Sequence, residues 1–396
     1  MEFRQLDPLE VTASKYLWSQ AFESGSRDTS FSDRWNSVFL ERSKMYGIYD
    51  EAGLQAAFNL TEYELHFGEK LVPVCTFSGV ATLPAGRGKG YANLGVRKCY
   101  EKMREDGHYL TALTCFNWEF YQKLGFEMVG LQHEYKVPCS ILKSSKETAN
   151  VSAATAEDRP GIQALYAEFA ANYRGMIHRN EKHWNWVLDD REKRYTYTYV
   201  YKNEGKIEGY FTYNNEPKEE TLRIQDFIVT TQRARAGLLG LMKRMDMQIK
   251  KWRWEAPADD KLWALVYHWD LETNLRPSQM ARIVDLPKAL EAIKFRAHQS
   301  TAFQSLILEV TDADCPWNAG IWRIDMEDHK VTVNKSEEPP QVSMDIRALT
   351  QCYFGTPNVE EVSDADGMQI HDMSCYFALS DLLDGLPSYC LIAEEY

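Results

Sequence analysis

Hydrophobic and polar positions along the first third of the chain alternate between two periods, and the switches between them mark its elements. A helical period runs over residues 8–22, and strand-like stretches follow near 44–48, 56–63 and 72–83. Val96, Cys99, Tyr100 and Met103 then fall at i, i+3, i+4 and i+7. That stripe predicts a helix to about Glu105, with Gly107 placed to end it. A strand over 109–114, a short helix over 118–123 and a strand over 126–137 complete the set. Strand, helix and strand in that order predict a crossover unit within a mixed sheet.

The stretch 144–156, SSKETANVSAATA, is small and polar and reads as a linker. After it the pattern restarts. Aligning GVATLPAGRGKGYANL with DFIVTTQRARAGLLGL puts Val80 opposite Phe227 and Gly90 opposite Gly237, both at an offset of 147. This suggests an internal duplication. In the second copy Ala234 stands where Arg87 stands in the first, and Arg235 where Gly88 stands. From Leu286 the texture changes again. A helix-like LPKALEAIKF precedes a strand QSLILEV, a hairpin GIWRIDMEDHKVTV, and helical patterns over 342–354 and 380–386. The organisation expected is a first domain over 1–143, a linker over 144–156, a degenerate copy over 157–285 and a third domain over 286–396. The fold class is α+β, or mixed α/β.

Charge narrows the function classes. Lys plus Arg number 45 against 58 Asp plus Glu, a net charge of −13. That balance argues against a nucleic-acid partner, which needs a basic face for phosphates. It suits a cationic substrate, and it equally serves solubility alone. The eight cysteines form no CxxC or Cys/His ligand spacing, so they read as free thiols in a reducing compartment, with no metal expected. Acidic residues occupy the place of a signal peptide's apolar core, and no apolar run approaches the ~18 residues of a membrane span. A cytoplasmic protein with no membrane partner is expected. Neither Gly-x-Ser-x-Gly nor HExxH occurs, which leaves hydrolase and zincin chemistry without support.

Two motifs carry the chemistry. Arg87-Gly88-Lys89-Gly90-Tyr91-Ala92 lies between a predicted strand and a predicted helix. A pyrophosphate needs several backbone N–H groups aimed at one place, and a small-residue turn at a helix N-terminus supplies them. Arg87 or Lys89 can add full charge. The spacing Arg-x-x-Gly-x-Ala resembles the motif of the GNAT (Gcn5-related) N-acetyltransferases. Phe120-Tyr121-Gln122-Lys123-Leu124-Gly125-Phe126 resembles the segment that closes the acyl-CoA site in the same superfamily. A phenol within reach of a departing thiolate can protonate it, which would make Tyr121 the general acid.

The whole layout is similar to the enhanced intracellular survival (Eis) acetyltransferases. These have a catalytic GNAT domain, a degenerate GNAT copy and a C-terminal domain like sterol carrier protein 2. The stretch Met280-Ala281-Arg282-Ile283-Val284-Asp285 resembles the segment before that family's last domain. The resemblance implies acetyl-CoA as cosubstrate, with Val80, Ala81 and Thr82 holding the pantetheine and Arg87 to Ala92 the pyrophosphate. It implies the terminal carboxylate of Tyr396 as general base, where members often end in Phe, and Glu395, Phe22 and Trp35 at the amine pocket. The turn here carries two cations where members often carry three consecutive basic residues. The acceptor implied is a cationic amine (an aminoglycoside, a polyamine-like molecule or a lysine) and the assembly a homo-hexamer. The rival reading is a non-catalytic scaffold whose third domain binds lipid or protein. Longer acyl chains are a further possibility.

Overall fold

The structure is a computed structural model and describes residues 1–22, 43–189, 196–214, 221–247, 249–293, 303–328, 330–365 and 367–390. The first helical stretch divides into α1 (Pro8–Ala13) and α2 (Lys15–Phe22). The break falls at Ser14, whose hydroxyl donates back to the Val11 carbonyl at 2.7 Å and accepts from the Trp18 indole at 3.1 Å. Such local side-chain bonds compete with the helix ladder. Strands β1 (Glu2–Gln5), β2 (Ser43–Asp50), β3 (Gly53–Phe67) and β4 (Lys70–Thr82) form an antiparallel sheet in that order. Helix α3 (Tyr91–Glu105) packs on it through Val96, Cys99, Tyr100 and Met103, the stripe expected from the sequence.

Next come β5 (Leu110–Leu113), α4 (Trp118–Gln122), β6 (Glu127–Met128) and β7 (Leu131–Pro138). The strand expected over 126–137 is therefore two strands. Gly130 lies at the break, where a Cβ would sit 2.3 Å from the Ser278 hydroxyl. From that point the chain leaves the first domain, and β7 joins the sheet of the second.

That sheet has seven strands. It contains β7 with β8 (Val151–Ala153), β10 (Thr196–Asn203), β11 (Lys206–Asn214), β12 (Thr221–Val229), β13 (Lys251–Pro257) and β14 (Glu272–Pro277). In exchange, the part of the chain after β8 gives two strands to the first domain. Strand β9 (Arg174–Ile177) extends the edge of β3 beyond β2, and β15 (Met280–Ile283) lies between β5 and β6. The stretch expected as a bare linker is built into this sheet. A 3-10 turn over Lys146–Asn150 precedes β8, and the buried Thr148 hydroxyl donates to the Gly237 carbonyl.

Helices α5 (Arg159–Ala170), α6 (Glu181–Trp184) and α7 (Gln232–Arg244) cover the two faces of the sheet. The third domain starts with α8 (Leu286–Glu291). Its sheet holds β16 (Phe303–Thr311), β17 (Gly320–Glu327), β18 (Lys330–Lys335), β19 (Val342–Asp345) and β20 (Met368–Ile370), and α9 (Ile346–Phe354), α10 (Val359–Asp364) and α11 (Tyr376–Leu383) pack beside it. The helical pattern expected over 342–354 begins only at Ile346. Val342 and Met344 alternate inward as a strand, and the Asp345 carboxylate then caps the helix by accepting from the Arg347 and Ala348 amides at 3.0 and 2.8 Å. One core joins Leu306, Leu308, Ile324, Leu349 and Tyr353 of this domain to Leu110, Ala112, Ala281 and Ile283. All eight cysteines are free.

Candidate active site

The site starts from a defect in β4. Leu60 faces Phe77 and Asn59 faces Gly79, so Ser78 is an extra residue with no partner on β3. A bulge of this kind bends its strand and sharpens the local twist. Beyond it, Val80, Ala81 and Thr82 stay paired to β3, while the other edge of β4 faces β5 without joining its sheet. The Ala81 side chain is buried with Trp18 and Leu17, and Val80 packs toward α3. What these residues present to the opening is backbone.

After Thr82 the chain makes a 3-10 turn over Pro84–Gly86 and reaches α3 through Arg87, Gly88, Lys89 and Gly90, all four exposed. Gly88 and Gly90 hold φ of 78° and 81°, a region where a side chain is strained. Gly90 is the N-cap of α3 and supplies no side-chain cap. The amides of Gly88, Gly90, Tyr91, Ala92 and Asn93 therefore have no acceptor among the described residues. Five N–H groups at a helix N-terminus, flanked by two exposed cations, suit a doubly charged diphosphate. Tyr91 contributes only its amide. Its ring closes over Gly86, and its hydroxyl donates to Asp50 at 2.6 Å.

Tyr121 lies near the last turn of α4, whose start is capped by Asn117 accepting from the Phe120 amide. Its ring is held edge-on by Phe120 at 4.9 Å and Phe126 at 5.6 Å, and Phe126 in turn touches Phe77, two residues before Gly79. Its hydroxyl has no hydrogen-bond partner among the described residues. Burial, with Cys115 adding to it, pushes the phenol well above its ordinary pKa, so it remains a proton donor at neutral pH.

Phe22 ends α2, 39% exposed, with its ring 6.0 Å from that of Trp18 and nearly parallel to it. Trp35, Glu395 and Tyr396 lie outside the described residues. The stretch before the chain's end is well placed. Ser388, Tyr389 and Cys390 are buried along β9, where the Tyr389 amide donates to the Arg174 carbonyl at 2.9 Å. Gly175 makes room for this stretch, since a Cβ there would lie 3.3 Å from the Tyr389 carbonyl.

The second copy keeps the scaffold without the open turn. Tyr213 faces Ile224 and Thr212 faces Asp226, so Gln225 is its bulged residue, 147 positions after Ser78. Asp226 occupies the place of Gly79, and its carboxylate takes two bonds from the buried Arg179 guanidinium at 2.6 and 2.8 Å and one from the Tyr210 hydroxyl at 2.8 Å. The turn is also missing. Strand β12 ends at Val229 and α7 starts at Gln232, whereas β4 ends at Thr82 and α3 starts at Tyr91. Ala234 and Arg235, aligned by sequence with Arg87 and Gly88, are thus helical, and the alignment fails beyond the strand because the loop is shorter. Thr231 caps α7 by accepting from the Ala234 amide, while Arg233 and Arg235 are paired with Glu208 and Asp260.

Two segments rich in aromatic and histidine side chains, 62–66 and 178–186, meet at the seam between the copies, with His66 5.6 Å from His178 and Tyr63 stacked on His183 at 5.7 Å. Sequence reasoning missed three features: the Ser78 bulge, the Arg179–Asp226 pair and the fully buried Arg282 of β15. The 147-residue offset places Asp226 opposite Gly79, the one sequence sign of a difference there.

Residues 2–129 and 175–283 each match the acetyltransferase (GNAT) domain, and residues 286–391 match the sterol carrier protein domain. It belongs to the GNAT acetyltransferases. An uncharacterized N-acetyltransferase of Streptomyces avermitilis is 24% identical to this acetyltransferase over 307 residues, 73% of each chain. Among solved structures, a GCN5-related N-acetyltransferase from Anabaena variabilis superposes with a TM-score of 0.85 at 19% identity, covering 98% of this chain and 99% of that one. Eis1 from Mycobacterium abscessus superposes with a TM-score of 0.77 at 18% identity over the full length of both. The acetyltransferase is thus two GNAT folds followed by a sterol-carrier-like domain, an N-acetyltransferase whose intact turn lies in the first copy.

Proposed function

We propose that this N-acetyltransferase moves the acetyl group of acetyl-CoA to an amine of a cationic small molecule, using the first copy alone. One observation carries the assignment to that copy: five uncapped amides and two exposed cations at the start of α3, against a capped, ion-paired helix start in the second. The Arg87–Ala92 turn holds the pyrophosphate, and the backbone of Val80, Ala81 and Thr82 holds the pantetheine along the free edge of β4. The amine nitrogen bonds to the thioester carbon as the carbon–sulfur bond breaks. The Tyr396 carboxylate takes the proton released by the amine, and the Tyr121 phenol gives one to the departing thiolate. Phe22, Trp35 and Glu395 line the acceptor side. Holding amine and thioester together supplies much of the rate, because a deprotonated amine is already nucleophilic.

The net charge of −13 supports a polyamine-like or aminoglycoside acceptor over an acidic one. We also propose a homo-oligomer, a hexamer by likeness of layout, supported by the aromatic side chains exposed between β13 and β14. The scaffold reading is weakened because the apolar face of the third domain is already spent in a core shared with the first.

The test is thiol release from acetyl-CoA by the purified protein against aminoglycosides, polyamines and lysine peptides, with thermal unfolding run alongside. Turnover with a polycationic small molecule and a higher Tm in acetyl-CoA are expected. A Tm unmoved by millimolar acetyl-CoA would sink the assignment. Adding a few residues after Tyr396 should cut turnover at least about tenfold while the Tm shift persists, since each positioned acid or base contributes about 10²–10⁴-fold. Full activity in the extended protein removes the terminal base.

A further inference from the structure

Arg282 is fully buried in β15, the strand that the second half of the chain places between β5 and β6 of the first domain. Its guanidinium makes four kinds of contact, one of them an ion pair with Asp314 at 3.7 Å. One nitrogen donates to the Leu124 carbonyl. The other donates to both oxygens of Asp312 in the third domain, at 2.6 and 2.9 Å. The plane lies over the Tyr100 ring, 4.5 Å from its centre, and the Tyr100 hydroxyl donates to the same Leu124 carbonyl at 2.8 Å.

The Leu124 carbonyl belongs to the turn that carries Tyr121. The Leu124 and Phe126 amides both donate to the Tyr121 carbonyl, at 2.9 and 3.1 Å, and the Phe126 ring packs on the Tyr121 ring. Gly125, between them, has φ of 79°, and a Cβ there would lie 1.5 Å from the guanidinium. The turn is therefore shaped around the Arg282 side chain. The Arg282 Nε has no hydrogen-bond partner among the described residues. Asp312 is fixed in turn by the Asp314 and Cys315 amides and by Asn318, and Asp314 also pairs with Arg97 of α3 at 2.6 Å.

We propose that Arg282 is a positioning residue for Tyr121. It acts through the Leu124 carbonyl and is itself held by Asp312, which makes the third domain a structural part of the acyl-transfer site. The claim about rate rests on the proposed acetyl transfer, and the claim about geometry does not.

The experiment is a double-mutant cycle with a structural arm. Arg282→Lys keeps the charge and loses the fork. It should lower kcat about 10- to 100-fold with KM for acetyl-CoA within about threefold, and in a Tyr121→Phe background it should cost no more than about twofold. A residue that only stabilises the fold would lower activity equally in both backgrounds, and that result overturns the proposal, as does unchanged kcat. Asp312→Asn keeps the shape and removes the charge that holds Arg282, and its crystal structure should show the 124–126 turn displaced by more than about 1 Å. An unmoved turn overturns the proposal whether or not the wild type transfers acetyl. A wild type inactive on every amine, with the turn displaced in the variant, overturns the function and leaves the geometry standing. Should the single variants fail to fold, Arg282→Met with Asp312→Leu removes both buried charges together and is read in the same two ways.

Discussion

His66 sits on β3 where β9 joins it, with the His178 ring 5.6 Å away and the Tyr166 ring 6.5 Å away. Burial, with His178 adding to it, pushes its pKa down to about 4. An unfolded chain takes up a proton near pH 6.5, so below that pH the unfolded state binds more protons than the native one. Stability is therefore fully present above about pH 6.5 and drains away as pH falls toward 4, by about 3 kcal/mol for a shift of this size. Unfolding midpoints in urea between pH 7 and 4.5 should show the loss, and His66→Gln should flatten the slope whatever it does to the midpoint. Equal slopes in both proteins exclude His66 as the source.

The same scale sets what could be read from the chain. Tyr121 and the Arg87–Ala92 turn lie in short local motifs, so their places in α4 and before α3 were legible. Tyr91 was legible as a position but not as a role, because its hydroxyl is engaged by Asp50, 41 residues away. Arg179 and Arg282 are each paired across long separations, and nothing beside them in sequence distinguishes a buried ion pair from an exposed cation.

Between elements, the two copies show that a strand bulge is more durable than the turn after it. Ser78 and Gln225 keep the same defect, yet the loop from strand to helix runs over 83–90 in one copy and only 230–231 in the other. Periodicity found α3 because that helix buries one stripe. It could not find the exchange of β7 and β15, since a strand's hydrophobic pattern reports that it is buried and not which sheet receives it. Nor did it find β1, whose four residues include a single apolar one, Phe3.

Helix α3 touches β3 most closely at Gly95, where a Cβ would lie 2.0 Å from the Phe58 ring. Gly95→Ala must push the helix off the sheet or turn Phe58 out of its rotamer, at a cost of about 1–3 kcal/mol. Because the same helix begins with the turn proposed to hold the pyrophosphate, KM for acetyl-CoA should rise together with the fall in Tm. A lower Tm with unchanged KM would mean that the turn is held by Tyr91 and Asp50 independently of the helix.

At the scale of the molecule, the aromatic side chains left outside are as informative as those buried. Between β13 and β14, Trp269 is 100% exposed and Tyr267 89%, with Trp263 and Leu265 also in solvent. Beside them β14 is the edge of the seven-stranded sheet, and all six of its residues are exposed. An unpaired edge next to a cluster of large apolar side chains is the kind of surface that single subunits avoid and assemblies cover. If a second copy covers it, Tyr267 and Trp269 are its anchors, because aromatic side chains at the centre of an interface carry most of its free energy. Sedimentation velocity at micromolar concentration should show the wild type larger than one subunit, and Tyr267→Ser with Trp269→Ser should yield a smaller species. These side chains pack against nothing within the subunit core, so the isolated variant should keep its fold by circular dichroism. A variant that sediments like the wild type would place the interface elsewhere, and a wild type that sediments as a single subunit would leave the cluster free for a different partner.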